Sequence, residues 1–67
     1  MEYMRKIVQV RKEKHITQQK LANHLMITQQ QYSDYERGKN ELPIRYLISI
    51  CKYLDISADW LLGLTEE

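Results

Sequence analysis

Two threonines, Thr17 and Thr28, stand eleven residues apart in the stretch ITQQKLANHLMITQQQ, and each precedes a run with helical periodicity. A threonine just before a helix offers its hydroxyl to the amides of the first turn, so both positions read as N-caps. The helix between them, through Leu21, Ala22 and Leu25, has room for about two turns. The segment Leu25-Met26-Ile27 leaves only a tight turn before the next helix begins at Gln29.

The remaining elements follow from the same two signals, period and punctuation. Met4, Ile7, Val10 and Arg11 fall on one face of a first helix over Tyr3 to Lys14. Helix 3 runs from Gln29 to Arg37 and stops at Gly38, a residue suited to the left-handed conformation that closes a helix. Pro43 fits the first position of helix 4, whose predicted core stripe is Ile44, Leu47, Ile48, Cys51 and Leu54. Ser57 caps a short helix 5, Ala58 to Leu62, and Gly63 ends it. The expectation is an all-α, five-helix single domain over residues 1–67, with a helix-turn-helix over about residues 17–37 whose second helix projects while the first braces it.

Composition narrows the function classes. Sixty-seven residues lie near the lower limit for a core held without disulfides or metal, and two glycines with one proline provide too few turns for a β-sandwich or barrel. Cys51 is the single cysteine, which excludes an intrachain disulfide and a cysteine-based zinc cluster and fits a reducing cytoplasm. No signal-peptide run and no 18-residue apolar span occurs, so a membrane partner is not expected. His15 and His24 have no ligand partners at metal spacing, and no Gly-rich phosphate loop or triad is present; no metal, no cofactor and no enzymatic activity are expected. The net charge is only +1, but residues 1–40 carry eight Lys or Arg against four acids, and residues 41–67 two against five. That asymmetry suits an anionic partner on the N-terminal half.

The run Gln29-Gln30-Gln31 at the start of helix 3 gives that partner a chemistry. Glutamine presents one acceptor and two donors on a planar fork, which matches the N7 and N6 edge of adenine in the major groove. Tyr32 and Tyr35 would pack inward and leave Gln29, Gln30, Ser33, Asp34 and Arg37 on faces open to solvent or a groove.

The segment RKEKHITQQKLANHLMITQQQYSDYERGK, followed by CKYLDISADWLLG, resembles the lambda-repressor-like helix-turn-helix family, the Cro and phage-repressor class. The likeness covers about residues 4–64 and rests on order and spacing: an arginine in helix 1, T-Q opening helix 2, L-A four residues in, E-R-G closing helix 3, and S-x-D-x-L-L-G at the end. It implies a DNA-binding domain, usually a transcriptional repressor, with helix 3 in the major groove. By the same resemblance Gln29, Gln30, Ser33 and Asp34 are base-reading positions. Thr17, Gln18, Thr28, Arg37, Gly38, Lys39 and Asn40 lie on the phosphate side, and Arg11 and Glu36 form a pair joining helix 1 to helix 3. Met26 departs from the family, which commonly has glycine there, and a positive φ would cost a side chain roughly 1 kcal/mol. Asp34 would repel phosphate unless it accepts from a cytosine amino group or is turned away.

The expected partner is a pseudo-palindromic double-stranded DNA operator bound by a weak homodimer, with Trp60 and Leu64 as candidate contacts, because Leu61 and Leu62 suffice to cover helix 4. With no space for an effector domain in the 67 residues, control is expected from abundance, promoter architecture or a separate partner. Two alternatives are an antitoxin that holds a toxin on helices 4 and 5, and a protein-interaction module that has lost DNA binding.

Overall fold

The computed structural model describes residues 2–64 as five α-helices with no strand among them. The helices are α1 Glu2–Glu13, α2 Gln18–Leu25, α3 Gln29–Glu36, α4 Ile44–Leu54 and α5 Ala58–Leu61. No helix among the described residues is long and apolar enough to cross a membrane. Helices α2 and α3 pack on each other, α1 braces α3 from behind, and α4 lies under α2 with α5 folded back against α1 and α4. Tyr32 of α3 is fully enclosed in the core with Ile7, Leu21, Ile50, Leu54 and Leu61. Burying this one large ring fixes how α3 is rotated, and therefore which of its residues face outward. Tyr35 packs partly buried beside it, its ring edge-on to Tyr46 at a centroid distance of 6.1 Å.

Three of the helix starts use a hydroxyl. Thr17 Oγ1 accepts from the Lys20 amide, Thr28 Oγ1 from the Gln31 amide and Ser57 Oγ from the Trp60 amide. All five helix ends share one closure. The left-handed residues are His15, Met26, Gly38, Asp55 and Gly63. Each donates its amide three residues back, and the following residue's amide reaches five back, as in Met26 to Asn23 and Ile27 to Ala22. This is the paired-bond Schellman closure, which satisfies carbonyls that the helix itself leaves open. Only two of the five closing residues are glycine. The others are held because the next residue is apolar and anchors the turn: Ile16, Ile27 and Ile56 all pack against the core.

Two expectations for α4 are corrected. Pro43 is the N-cap, in extended backbone and without a side-chain cap bond, and the helix begins one residue later at Ile44. The buried stripe is Leu47, Ile50, Cys51 and Leu54, whereas Ile44 and Ile48 are exposed at 67 % and 49 %. Both sets satisfy helical spacing, so periodicity alone could not choose between them; packing under α2 and against Leu61 selects the face with Ile50. Helix α5 is also one residue shorter than expected. Leu61 is the buried core residue there, with Trp60 packed partly buried beside it, and Leu62 is exposed.

Candidate nucleic-acid interface

The start of α3 is stiffened by its own sequence. Thr28 and Gln31 form a reciprocal capping box: the hydroxyl accepts from the Gln31 amide at 3.0 Å, and the Gln31 side-chain oxygen accepts from the Thr28 amide at 3.0 Å. The third glutamine of the run is thus used in holding the helix start. Its signal, threonine followed three residues later by glutamine, is present in the sequence. Gln29 and Gln30 are exposed one and two residues into the helix, and Ser33 and Asp34 lie half-buried on the following turn.

Behind this surface sits a buried polar junction that ties three helices. Arg11 Nε donates to Glu36 Oε2 at 2.7 Å and its NH2 to Oε1 at 3.2 Å, while NH1 donates to the carbonyl oxygen of Ile16 at 2.9 Å. The two side chains are 9 % and 7 % exposed. Gln18, at the start of α2, donates its amide to Glu36 Oε1 at 2.8 Å and accepts from Gln29 Nε2 at 3.5 Å. Helix α1, the α1–α2 turn, α2 and α3 are therefore referenced to one carboxylate. Burial alone would raise the Glu36 carboxyl, but Arg11, the neighbouring Tyr32 hydroxyl and Gln18 together hold it below its ordinary value. The Tyr32 hydroxyl is enclosed beside this pair with no well-aligned hydrogen bond. Burial first, and the adjacent Glu36 charge second, keep its proton bound well above the usual tyrosine range.

A second, exposed network runs along α3. Asp34 Oδ1 accepts from Gln30 Nε2 at 3.0 Å and from Arg37 NH2 at 2.8 Å. The Arg37 guanidinium first, with the Gln30 amide adding to it, holds the Asp34 carboxyl below its usual range, so it is charged but partnered. Beyond it the loop Arg37 to Asn40 is exposed, with Gly38 at φ 77° and open space where a Cβ would lie. Arg5 and Lys12 of α1 line a shallow groove of about 470 Å³ that ends at Arg37 and Gly38. Neither cation stands in a local sequence pattern that marks a site, since the groove forms only where this face of α1 meets the end of α3.

Thr17 and Thr28 carry their caps at the two helix starts, Gln18 bridges them, and Gln29, Gln30, Asp34, Arg37 and Lys39 follow along α3 and its exit. On α5, Trp60 is half-buried against the core, with Lys6 Nζ 4.9 Å from its ring centroid and donating to its carbonyl oxygen at 2.8 Å. Leu64 beside it is exposed. A capped helix pair braced on a third, with an exposed polar edge on the second of the pair, is the architecture of a helix-turn-helix. The Helix-turn-helix family model matches residues 7–61. The chain belongs to the lambda-repressor-like helix-turn-helix family.

Two curated relatives extend the match. The helix-turn-helix chain is 46% identical over 52 residues to the uncharacterized HTH-type transcriptional regulator YqaE of Bacillus subtilis (strain 168), covering 78% of this chain and 45% of that protein. It is 31% identical over 65 residues to the uncharacterized HTH-type transcriptional regulator YobD of the same organism, covering 97% of this chain and 58% of that protein. The chain thus spans about half the length of the curated relatives it matches. No solved structure matches. The family is one of DNA-binding transcription regulators, and the helix-turn-helix here is formed by α2 and α3.

Proposed function

We propose that this helix-turn-helix domain binds a specific double-stranded DNA operator and acts as a repressor by occluding a promoter. The observation that carries the reading is the exposed pair Gln29 and Gln30 at the start of a helix whose rotation is fixed by Tyr32 and the Arg11–Glu36 junction. Base reading needs side chains presented at a fixed height and angle, and here the presenting helix is braced on its hidden side. Gln29, Gln30, Ser33 and Asp34 are assigned to the base-reading surface. Thr17, Gln18, Thr28, Arg37, Gly38, Lys39 and Asn40 are assigned to the phosphate strands, where the exposed amides of the helix starts also favour anions. Arg5 and Lys12, beside Arg37, extend that cationic surface.

A homodimer on a pseudo-palindrome supplies the specificity that one recognition helix lacks against a genome of competing sites. Its proposed contacts are Trp60 and Leu64 in the C-terminal segment. A protein partner on α4 and α5, as in an antitoxin, is a second reading favoured by the exposed Ile44 and Ile48 of α4 and Leu62 after α5. Selection of bound duplexes from a random pool tests the first reading: a single enriched, two-fold-related sequence supports it, and an unenriched pool overturns it. Growth of a promoter fusion with and without the protein then distinguishes repression from activation.

A further inference from the structure

The Gln30–Asp34–Arg37 network constrains more than the surface charge. An ionised carboxylate can only accept hydrogen bonds, so the Gln30 side chain must turn its NH2 group toward Asp34. The amide is planar, and the opposite end, the carbonyl oxygen, is then directed away from the carboxylate, along with the second N–H. Arg37 matters to this arrangement because it donates to the same Oδ1 atom. It favours the ionised form of Asp34 further, and it offsets a negative charge that would otherwise face phosphates. In water such an exposed pair one helical turn apart is weak. Inside a groove from which water is displaced, the same bonds gain strength, and reversing the amide would set the Gln30 oxygen against the Asp34 oxygen.

Resting on the proposed recognition of DNA, we propose that Asp34 is a positioning residue that fixes the polarity of the Gln30 amide, so that Gln30 presents an acceptor and selects a base carrying an exocyclic amino group. In the major groove adenine offers N6–H2 and cytosine N4–H2, whereas guanine and thymine present O6 and O4 acceptors at the equivalent place. Adenine is preferred over cytosine, because its N7 can also accept from the second Gln30 N–H. Guanine is rejected because its O6 would meet the Gln30 oxygen. Specificity at this base pair is thus set by a residue one turn away.

The test compares selected duplex profiles of the full chain as wild type, Gln30→Ala, Asp34→Asn and Asp34→Glu. Gln30→Ala identifies the base pair that Gln30 contacts. At that pair the preference for adenine over guanine should fall by roughly tenfold in Asp34→Asn, whose amide can donate or accept and so allows either orientation of Gln30. Asp34→Glu, which retains an acceptor-only group, should keep most of the preference. Melting temperature should be unchanged in all three, and Asp34→Asn, which removes a negative charge beside the phosphates and releases Arg37, should bind random duplex at least as tightly as wild type, a combination that a merely structural role would not give. An Asp34→Asn profile that keeps full discrimination at that pair overturns the inference. So does relaxation only at a different base pair, because Asp34 would then be reading that base itself. A wild-type profile with no preference at any position removes the recognition reading and this inference with it, whereas a specific wild type that Asp34→Asn leaves intact removes this inference alone.

Discussion

Arg11 on α1 and Glu36 at the end of α3 meet side by side, Nε to Oε2 at 2.7 Å and NH2 to Oε1 at 3.2 Å, in a pocket that also holds the Ile16 carbonyl oxygen and the Gln18 amide. Removing either partner leaves the other charge buried. Arg11→Met or Glu36→Leu alone is therefore expected to destabilise by about 3–5 kcal/mol, whereas the two together recover much of the loss. Urea denaturation of the four proteins in a double-mutant cycle measures this, and strictly additive losses would contradict the coupling.

The same junction predicts a stability that falls in acid. Glu36 has a folded-state pKa below its ordinary value of 4.5. A depressed carboxyl contributes stability that is fully present above the unfolded pKa and is lost as pH falls through the folded one. Melting temperature should vary little in Glu36's contribution above about pH 5 and should fall progressively below pH 4.5. Glu36→Gln, though less stable at neutral pH, should show a shallower acid limb, because it has no proton to take up at this site. An identical acid limb in both proteins would remove Glu36 as the sensor.

Met26 holds φ 61° with its side chain 91 % exposed, so it carries backbone strain and little packing. Met26→Gly should raise stability by about 0.5–1 kcal/mol, the left-handed penalty relieved less the greater freedom of glycine in the unfolded chain. Gly38→Ala is the mirror experiment. Nothing lies within 4 Å of the added Cβ, so its loss of about 1 kcal/mol would come from φ 77° alone. Thermal melts of both variants check the pair, and a Met26→Gly protein less stable than wild type would mean that the methionine side chain holds the turn.

The helix order was legible because caps and glycines punctuate it: Thr17, Thr28, Ser57, Gly38 and Gly63 each stand where the fold uses them. The ends at His15 and Asp55 were hidden, and the one at Met26 was legible only through the glycine that the family commonly has there; all three take the left-handed role because an isoleucine follows and finds the core. The face of α4 was hidden for a different reason. Ile44, Leu47, Ile48 and Leu47, Ile50, Cys51 have the same periodicity, and only the neighbours α2 and α5 choose between them. Around α3, the exposure of Gln29 and Gln30 could be anticipated from the inward tyrosines. The bridge from Glu36 through Gln18 to Gln29 could not, because it links residues 18 and 11 positions apart through no local pattern.

Lys39 lies in the exposed loop after α3, and the proposed binding mode sets it against a phosphate. Lys39→Ala should weaken binding to every duplex alike and reduce the slope of log affinity against log salt by roughly one. Titrations across a salt series measure it, and an unchanged slope removes Lys39 from the interface.

Trp60→Ala is expected to weaken self-association through the C-terminal segment. Loss of the ring also exposes part of the α1–α5 contact, including the Lys6 cation–π pairing, so Leu64→Ala serves as the second variant. Sedimentation with and without a palindromic duplex should show wild type paired on DNA, with half-sites about 34 Å apart, and both variants shifted toward single occupancy. A wild type that occupies one half-site at high concentration would contradict the dimer.

The central claim, that Gln29 and Gln30 read bases from a braced helix, is tested most directly by one comparison. The affinities of wild type, Gln29→Ala and Gln30→Ala are measured on the best selected duplex and on a scrambled duplex at the same salt. Each variant should lose about 1–3 kcal/mol on the selected site and almost nothing on the scrambled one, because base contacts specify while phosphate contacts position. Full discrimination retained by both variants would contradict the account.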